Sequence, residues 1–504
     1  MSSVNSLTHS AKEGTSTRVE PLLDEVEHKK LIRRIDLHML PWGYLTYCVM
    51  RIDVGNISNA GVMNSEAGHS LKQVLGLSAQ QWAWCLASFY YTYMFLEPAS
   101  VYFLKLTSPS KWISRIMISW GIVMACQAAV SSYGGLISTR ILIGAFEAGY
   151  FPCIVFHWAF WYTPFELAPR LLGLYMAGAA ASAASGFLSW AISYADGVPM
   201  YGWRWLFIIE GILPILLGIA NLWILPDFPS DSNWLSACEI EHLVLHKHKD
   251  APKETGKTFD MKESLAILRD PTYFVFTLIW ILTAVGGHAT NVVLPQIVKD
   301  MHFTSSATTN LLQIPPAASI ILFLFICSEF VRRRLINPFP LIMLMQLLIL
   351  VGYVILQVHD TAPGVRYFAV CLAQAAAGVT YPVLWPKRLE SLRGTAGAAL
   401  GIGLHNAAAQ FSGLVGPQLY RSDYAPRYYK SFLAASVMIA AVFLLLAPLW
   451  WLVDGDLSKQ PRWLRRKVQG QNHYREGDEE RDARKEAFRV GDARREEGGE
   501  EEKA

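Results

Sequence analysis

Residues 202–229 read GWRWLFIIEGILPILLGIANLWILPDFP. From Trp203 to Leu225 the run carries only two formal charges, Arg204 and Glu210, and it closes on Pro226 and Pro229. About 20 mostly apolar residues in helical conformation cross a bilayer core, so this stretch reads as a membrane-crossing helix. Five comparable stretches precede it, near 38–58, 80–104, 112–131, 137–160 and 171–193. Six follow, near 272–297, 309–330, 337–357, 366–385, 396–418 and 431–453. The runs are continuous rather than alternating, which favours helices over a barrel. The expected fold is an all-α membrane protein with twelve transmembrane helices in two six-helix halves, an organisation typical of transporters.

Charge follows the same division. Of the 504 residues, 52% are hydrophobic and 17% charged, against about 25% charged in an average soluble domain. Residues 1–36 hold 12 charges, residues 226–270 hold 15 and residues 457–504 hold 25. The other 375 residues hold only 33. The chain therefore divides into an N-terminal tail (1–36), a six-helix half (37–225), a central loop (226–270), a second half (271–454) and a charged, disordered tail (455–504). A net charge of +3 implies no nucleic-acid surface. Lys105, Lys111 and Arg115, then Arg332, Arg333 and Arg334, then Lys387, Arg388 and Arg393 fall in loops on one side. The opposing loops are poorer in cations except the last, with Arg421, Arg427 and Lys430. By the positive-inside bias both termini are expected in the cytosol. Residues 1–36 lack a signal-peptide pattern, so no cleavage is expected.

Cys48, Cys85, Cys126, Cys153, Cys238, Cys327 and Cys371 form no CxxC pair or metal spacing and read as small core residues. A short amphipathic helix is expected near 235–248; its His242, His246 and His248 lack a second ligand cluster, so no metal is expected. No cofactor is expected either. Arg462, Arg465, Arg466 and Lys467 with Trp463 suit anionic headgroups.

Ionisable residues inside a bilayer are functional candidates by default. Five stand out: Asp53, Glu97, Arg140, Glu147 and Glu210. Arg140 and Glu147 are two helical turns apart and share a face. Burial disfavours the charged form of a carboxyl, so Asp53 and Glu147 read as proton-coupling groups ahead of static ion-pair members. Arg140 reads equally as a structural cation and as a partner for a substrate carboxylate. Glu97 and Glu210, each beside Pro or Gly, read first as helix-terminus or interhelical contacts. Asn56 joins the candidate substrate contacts. The second half is nearly free of acids but offers His288 and Asn291, Tyr381 and Trp385, and His405 and Asn406, which can hydrogen-bond a polar substrate without permanent charge. Small residues at Gly173, Gly178, Ser182, Ser185 and Gly186, and at Gly397, Gly401, Gly403, Gly413 and Gly416, allow close helix crossings.

Several segments resemble a known family. DVGNISNA (53–60), RILIGAFEAGYFP (140–152), GWRWLFIIEG (202–211), LPDFP (225–229), NLLQIPP (310–316) and GLVGPQLY (413–420) are similar to fungal major facilitator superfamily carriers of the anion:cation symporter group, the allantoate permease type. The resemblance covers about 36–453, and the 202–229 block is its most specific part. It implies twelve helices with the substrate path between the halves, and proton-driven uptake of an organic anion such as a vitamin, ureide or carboxylate. It assigns Asp53 to the first-helix acid, Glu147 to the fourth-helix acid linked to proton coupling, and Arg140 to the arginine opening that motif. The family expectation is the plasma membrane; the expected partners are a small organic anion, protons and the lipid bilayer, and the protein is expected to be a monomer. Two departures stand out. Val54 replaces the arginine that commonly follows the first-helix acid, and the loop LKLTSPSKWISR (104–115) keeps its cations but lacks the Gly and Asp of the wider superfamily. The fifth stretch lacks the GPxxGG pattern of drug:proton antiporters, which favours import. Export of a secondary metabolite on the same fold, and binding without translocation in a nutrient sensor, are the competing readings. A membrane enzyme is disfavoured by the lack of HExxH, a His-rich box or a nucleophile motif.

Overall fold

The computed structural model describes residues 23–246, 271–301, 305–391 and 404–454, apart from positions 198, 334, 359–360 and 426. Arg334, Arg393, Gly397, Gly401, Gly403, His248 and the tail from 455 lie outside the described residues. By its contacts the chain falls into two units, 1–443 and 444–504; of the second, the described residues 444–454 are the end of one helix.

In chain order the first set comprises α1 (Glu25–Ala60), the single turn α2 (Leu71–Val74), α3 (Ala79–Leu106), α4 (Pro109–Gln127), α5 (Tyr133–Glu147), α6 (Tyr150–Trp158), α7 (Pro164–Ser193) and α8 (Gly202–Ile224). A connecting helix, α9 (Ala237–His246), follows. The second set comprises α10 (Pro271–Thr283), a π-helical turn (Ala284–His288), α11 (Ala289–Lys299), α12 (Ser306–Leu311), α13 (Ile314–Arg332), α14 (Pro338–Gln357), α15 (Pro363–Ser391), α16 (Phe411–Leu419) and α17 (Tyr429–Asp454). Each apolar stretch of the sequence is mostly helical in its described part, with breaks such as those at 148–149 and 312–313. Seven spans among the described residues are long and apolar enough to cross a membrane on length and composition: 133–158, 169–193, 202–224, 308–331, 338–357, 363–385 and 429–453. The others carry more polar residues or are broken.

Side-chain exposure follows the solvent expected around such a bundle. Large apolar residues point outward, among them Phe95 (72% exposed), Phe187 and Trp223 (77%). Asp53, Glu97, Arg140, Glu147 and Glu210 of the crossing helices are buried.

Two extensions differ from the sequence reading. Residues 25–36, assigned to a tail, continue α1 below the membrane-crossing part. Asp24 accepts from the Glu27 N–H at 2.6 Å and Glu27 closes the capping box, which starts the helix early. One face of this extension binds neighbouring elements. His28 Nε2 meets Glu166 Oε1 at 2.8 Å, and its Nδ1 lies 3.1 Å from His242 Nε2 on α9. Arg34 pairs with Glu239 at 2.6 Å, Asp36 takes two hydrogen bonds from Arg170, and His38 stacks on Trp234. The expected amphipathic helix is therefore present as α9, and its His242 is buried in this clamp. Among the described residues no cluster of His, Cys, Asp or Glu is arranged to hold a metal. The second extension is at α15, which runs past Trp385 to Ser391. Arg388, expected in a loop, is buried there over the rings of Tyr273 and Phe276.

Helix pairing is tightest where small residues face each other. α4 and α8 form the most extensive pair, α1 packs on α7 and α8, and α3 packs on α5. In the second set α15 packs on α13 and α14. A Cβ built on Gly121 of α4 would lie 2.7 Å from the Gly211 carbonyl oxygen of α8 and 2.8 Å from Ile215. Backbone cannot yield there, so any side chain forces the helices apart.

Gly121→Val is accordingly expected to lower the thermal midpoint of the purified protein by several degrees, on the order of 1–3 kcal/mol of overpacking. Scanning fluorimetry against the neutral exterior change Trp223→Leu checks this. The clamp yields a pH prediction. Burial opposes ionisation of Glu166, but hydrogen bonds from His28 and Thr163 outweigh it and bring its carboxyl down to about 2, against 4.5 unperturbed. Its stabilising contribution is present above pH 4.5 and is lost as pH falls through about 2. His28→Ala moves the onset of acid destabilisation to higher pH, which thermal midpoints measured across an acid series would show.

Candidate functional site

The chemistry concentrates in the first set, where α1, α3, α4, α5 and α8 enclose four charged side chains. Asp53 (1% exposed) lies on α1, Arg140 (1%) and Glu147 (0%) on α5, and Glu210 (2%) on α8. Local sequence places each. Glu147 is the last residue of α5, because Ala148 leaves helical geometry and Gly149 takes φ +83°, where a Cβ would strike Ser100. Only glycine sits there without strain. The break presents Glu147 at a helix end inside the bundle, and α6 resumes after it. Glu210 lies one turn before Pro214, whose missing N–H removes the helical partner of the Glu210 carbonyl. The sequence reading offered a helix terminus or an interhelical contact for Glu210; it lies buried in mid-helix, within the electrostatic reach of Asp53 on α1.

The hydrogen bonds in this cluster are few. Trp120 Nε1 of α4 donates to Asp53 Oδ2 at 2.8 Å. Asp53 Oδ1, both oxygens of Glu147, both oxygens of Glu210 and the Asn56 side-chain oxygen have no hydrogen-bond partner among the described residues. Nor do Arg140 Nε and Nη1. Arg140 shares a helix with Glu147, as the spacing predicted, yet no ion pair within 4.0 Å joins it to a carboxylate among the described residues. Its guanidinium rests 4.7 Å from the centre of the Phe89 ring instead. Arg140 and Glu147 both lie in the electrostatic reach of Asp53. Arg51, two residues before Asp53 on α1, acts on Glu147. Two donor nitrogens of a planar cation held in an apolar wall are thus left for a hydrogen-bond acceptor.

The second set contributes an aromatic cluster. Trp280 of α10 stacks on Tyr381 of α15 with centroids 4.5 Å apart, and Trp385 lies 5.0 Å from Trp280. His405 is fully buried between Tyr273 and Trp280, at 5.3 and 5.2 Å. The Tyr381 hydroxyl donates to the Trp280 carbonyl at 2.9 Å. Of the candidates named from the sequence, Tyr381, Trp385 and His405 are thus brought together, and Trp280, Tyr273 and Arg388 join them. The last three were missed: Trp280 and Tyr273 look like any aromatic residue of an apolar helix, and Arg388 looks like a loop cation. His288 ends the π-helical turn and Asn291 opens α11, but their side chains lie outside the described ones. Asn406 donates to Glu97 Oε1 across the two sets, so Glu97 is an interhelical contact, as its sequence setting suggested.

Further polar bridges join the sets at the end of the bundle away from the clamp. Lys72 donates to Gln296 at 2.9 Å, Gln296 donates to Asp300, and Gln80 donates to Gln418 at 3.1 Å. Asn59 donates to Ser185, and Gln313 donates to Asn59 at 2.7 Å. α7 against α12 and α13, and α3 against α16, complete this contact. Lys72 lies outside the crossing segments; burial, with Lys299 nearby, lowers its ammonium to about 8.

A model of the Major Facilitator Superfamily matches residues 44–417. The chain belongs to that superfamily. It is therefore a transport protein of a membrane-embedded family and not an enzyme. Among curated relatives, the MFS-type transporter cnsO of Penicillium expansum is 30% identical over 82% of this chain and 81% of its own length. The major facilitator-type transporter hxnP of Emericella nidulans is 26% identical over 82% and 83%. Among solved structures, a D-xylose–proton symporter superposes with a TM-score of 0.61 at 16% identity, covering 81% of this chain and 97% of that one. A bacterial homologue of the lysosomal transporter Spinster, inward-facing and unoccupied, gives 0.57 at 13% identity, covering 82% and 94%. These superpositions show the shared fold.

Asn406→Leu is expected to cost about 1–3 kcal/mol by leaving the Glu97 carboxyl without a donor in the interior. Most of that loss is expected to return in the Glu97→Leu/Asn406→Leu double variant, which a double-mutant cycle on thermal midpoints measures.

Proposed function

We propose that this superfamily member is a proton-coupled symporter that imports a small organic anion of the vitamin, ureide or carboxylate type across the plasma membrane, working as a monomer with both termini in the cytosol. The observation that carries the reading is Arg140. Among the described residues its Nε and Nη1 have no hydrogen-bond partner, it is buried, and it stands in one helical set with acids that lack ion-pair partners among the described residues. An uncompensated guanidinium in an apolar interior is costly, and an anionic substrate would compensate it. The acids Asp53 and Glu147 supply groups that take up and release protons with the cycle. Asn56, the aromatic cluster of Trp280, Tyr381, Trp385 and His405, together with His288, Asn291 and Asn406, shapes the path beyond the charge. The family resemblance of the first, fourth and sixth crossing segments supports the same assignment. In this orientation the polar bridges at Lys72, Gln80 and Asn59 close the outer mouth.

Proteoliposomes carrying the purified protein test the reading. An imposed inward proton gradient should drive accumulation of one of a panel of organic anions, and a protonophore should abolish it. Accumulation only against the gradient's expected direction would mark an exporter, and saturable binding with no flux a sensor. Glu147→Gln should lose gradient-driven accumulation while retaining counterflow exchange; loss of both in a folded variant would make Glu147 structural. Arg140→Lys should raise KM about tenfold or more, because a point charge replaces a two-pronged donor, with little change in fold stability.

A further inference from the structure

The clamp on the connecting helix contains a pair of imidazoles that the proposed cycle does not use. His28 of α1 stands between Glu166 of α7 and His242 of α9. Its Nε2 lies 2.8 Å from Glu166 Oε1, and its Nδ1 lies 3.1 Å from His242 Nε2. The two ring centroids are 5.2 Å apart. His242 is 2% exposed and so is shielded from water. Glu166 is fixed from its other side, where Oε2 accepts from the Thr163 N–H at 2.9 Å and the Thr163 hydroxyl at 2.7 Å. With its carboxyl brought down to about 2 it stays charged wherever an imidazole titrates. A carboxylate only accepts, so His28 Nε2 carries a hydrogen. The surrounding charges are paired across the same elements. Arg34 of α1 meets Glu239 of α9, and Asp36 of α1 meets Arg170 of α7, which rests on the Tyr162 ring. Glu25 and Lys29 pair at the exposed surface of α1. Burial opposes ionisation of Glu239, but hydrogen bonds from Ser236 and Arg34 hold its carboxyl below the ordinary value, so it too stays charged.

This geometry fixes a proton count. Between His28 Nδ1 and His242 Nε2 there is room for one hydrogen. With both rings neutral, His242 donates it to His28. With one proton added, His28 donates to Glu166 and to His242 Nε2, and His242 keeps its own hydrogen on Nδ1. A second proton sets N–H against N–H across 3.1 Å and two like charges in contact. Parting the rings relieves both. Protonated His28 keeps its carboxylate on α7, so α9 is the element that leaves. Its start stays fastened by Trp234, stacked on His38 at 4.3 Å and on Trp161 at 5.8 Å. Its end leads through residues 247–270 to α10. We propose that His28 and His242 form a proton-operated latch. With at most one added proton on the pair, α9 is held against α1 and α7. With two, α9 swings off about Trp234 and lengthens the free connection between the helical sets. The open form binds more protons, so the closed form loses stability as pH falls. In the orientation of the proposed carrier the latch faces the cytosol and responds to its acidity, and only that sidedness rests on the proposed function.

A spin label on α9 reads the latch and needs no substrate. The label sits at Glu241→Cys, an exposed position beside His242, in the purified full-length protein. The exposed native cysteines are removed by Cys126→Ser and Cys238→Ser. Between about pH 8 and about pH 5, the range in which imidazoles titrate, the main spectral component is expected to pass from immobile to mobile, and to return on neutralisation. His242→Gln offers an amide oxygen to the His28 N–H and takes up no proton, so the label should stay immobile at the acid end. His28→Gln leaves one titrating ring, should behave alike, and covers the case in which His242→Gln fails to fold. His28→Ala should leave the label mobile throughout. A label on native Cys126 of α4, with Cys238→Ser, should not respond. The proposal is overturned if the Glu241→Cys label stays immobile at the acid end with both histidines present. It is equally overturned if both glutamine variants keep the transition, or if the Cys126 label shows the same one, since the change is then a general loosening. Absence of gradient-driven uptake with the transition intact would sink the symport reading and leave the latch. Gradient-driven uptake with no transition would do the reverse.

Discussion

The structure depends on holding charge out of water inside a bundle whose outer surface is apolar. Asp53, Arg140, Glu147 and Glu210 are each at most 2% exposed, while Phe95 and Trp223 face outward at more than 70%. Such an arrangement is stable only where lipid replaces water around the helices and where the interior supplies compensation for each charge. The compensation here is incomplete by protein groups alone. Among the described residues Arg140 has a ring face but no carboxylate at ion-pair distance, and the acids have the Trp120 indole as their one hydrogen-bond donor. In the proposed cycle a substrate anion and a proton balance it.

The two helical sets divide the work. The first holds the buried cluster of Asp53, Arg140, Glu147 and Glu210, while the second presents aromatic faces around Trp280 and a buried Arg388 resting on two rings. Between them lie hydrogen bonds among neutral or singly charged side chains, such as Gln313 to Asn59 and Lys72 to Gln296. Contacts of this kind are each worth about 1 kcal/mol net, so they can be exchanged for others without a large barrier. The clamp of His28, Arg34 and Asp36 on α9 and α7 differs in kind, being built from ion pairs and stacked rings. It fastens the connecting helix to the first set.

Close packing makes the acid cluster possible. α4 and α8 approach through Gly121 and Gly211, which brings Trp120 to Asp53 and Glu210 to the face of α1. The break at Gly149 then leaves Glu147 at a helix end. Glycine and proline here set where carboxyls point, beyond their role in bending helices.

By itself the sequence determined the solvent, the helices and the identity of the buried charges. Those are local properties: a run of 20 apolar residues must be helical in a bilayer whatever surrounds it, and a charge within such a run must face inward. Asp53, Arg140 and Glu147 were legible for that reason, and so was α9. What only the tertiary structure decided was which charges meet. Glu210 read as a helix-terminus or interhelical contact because its neighbours in sequence are Gly211 and Pro214; packing brings it within the electrostatic reach of Asp53, on a helix far apart in the chain. Arg388 read as a loop cation because hydropathy falls near 386, yet α15 continues and buries it. Arg140 and Glu147 share a helix at ideal spacing but form no ion pair, because Phe89 of α3 takes the guanidinium. Each difference comes from packing between distant segments, which periodicity along one helix does not contain.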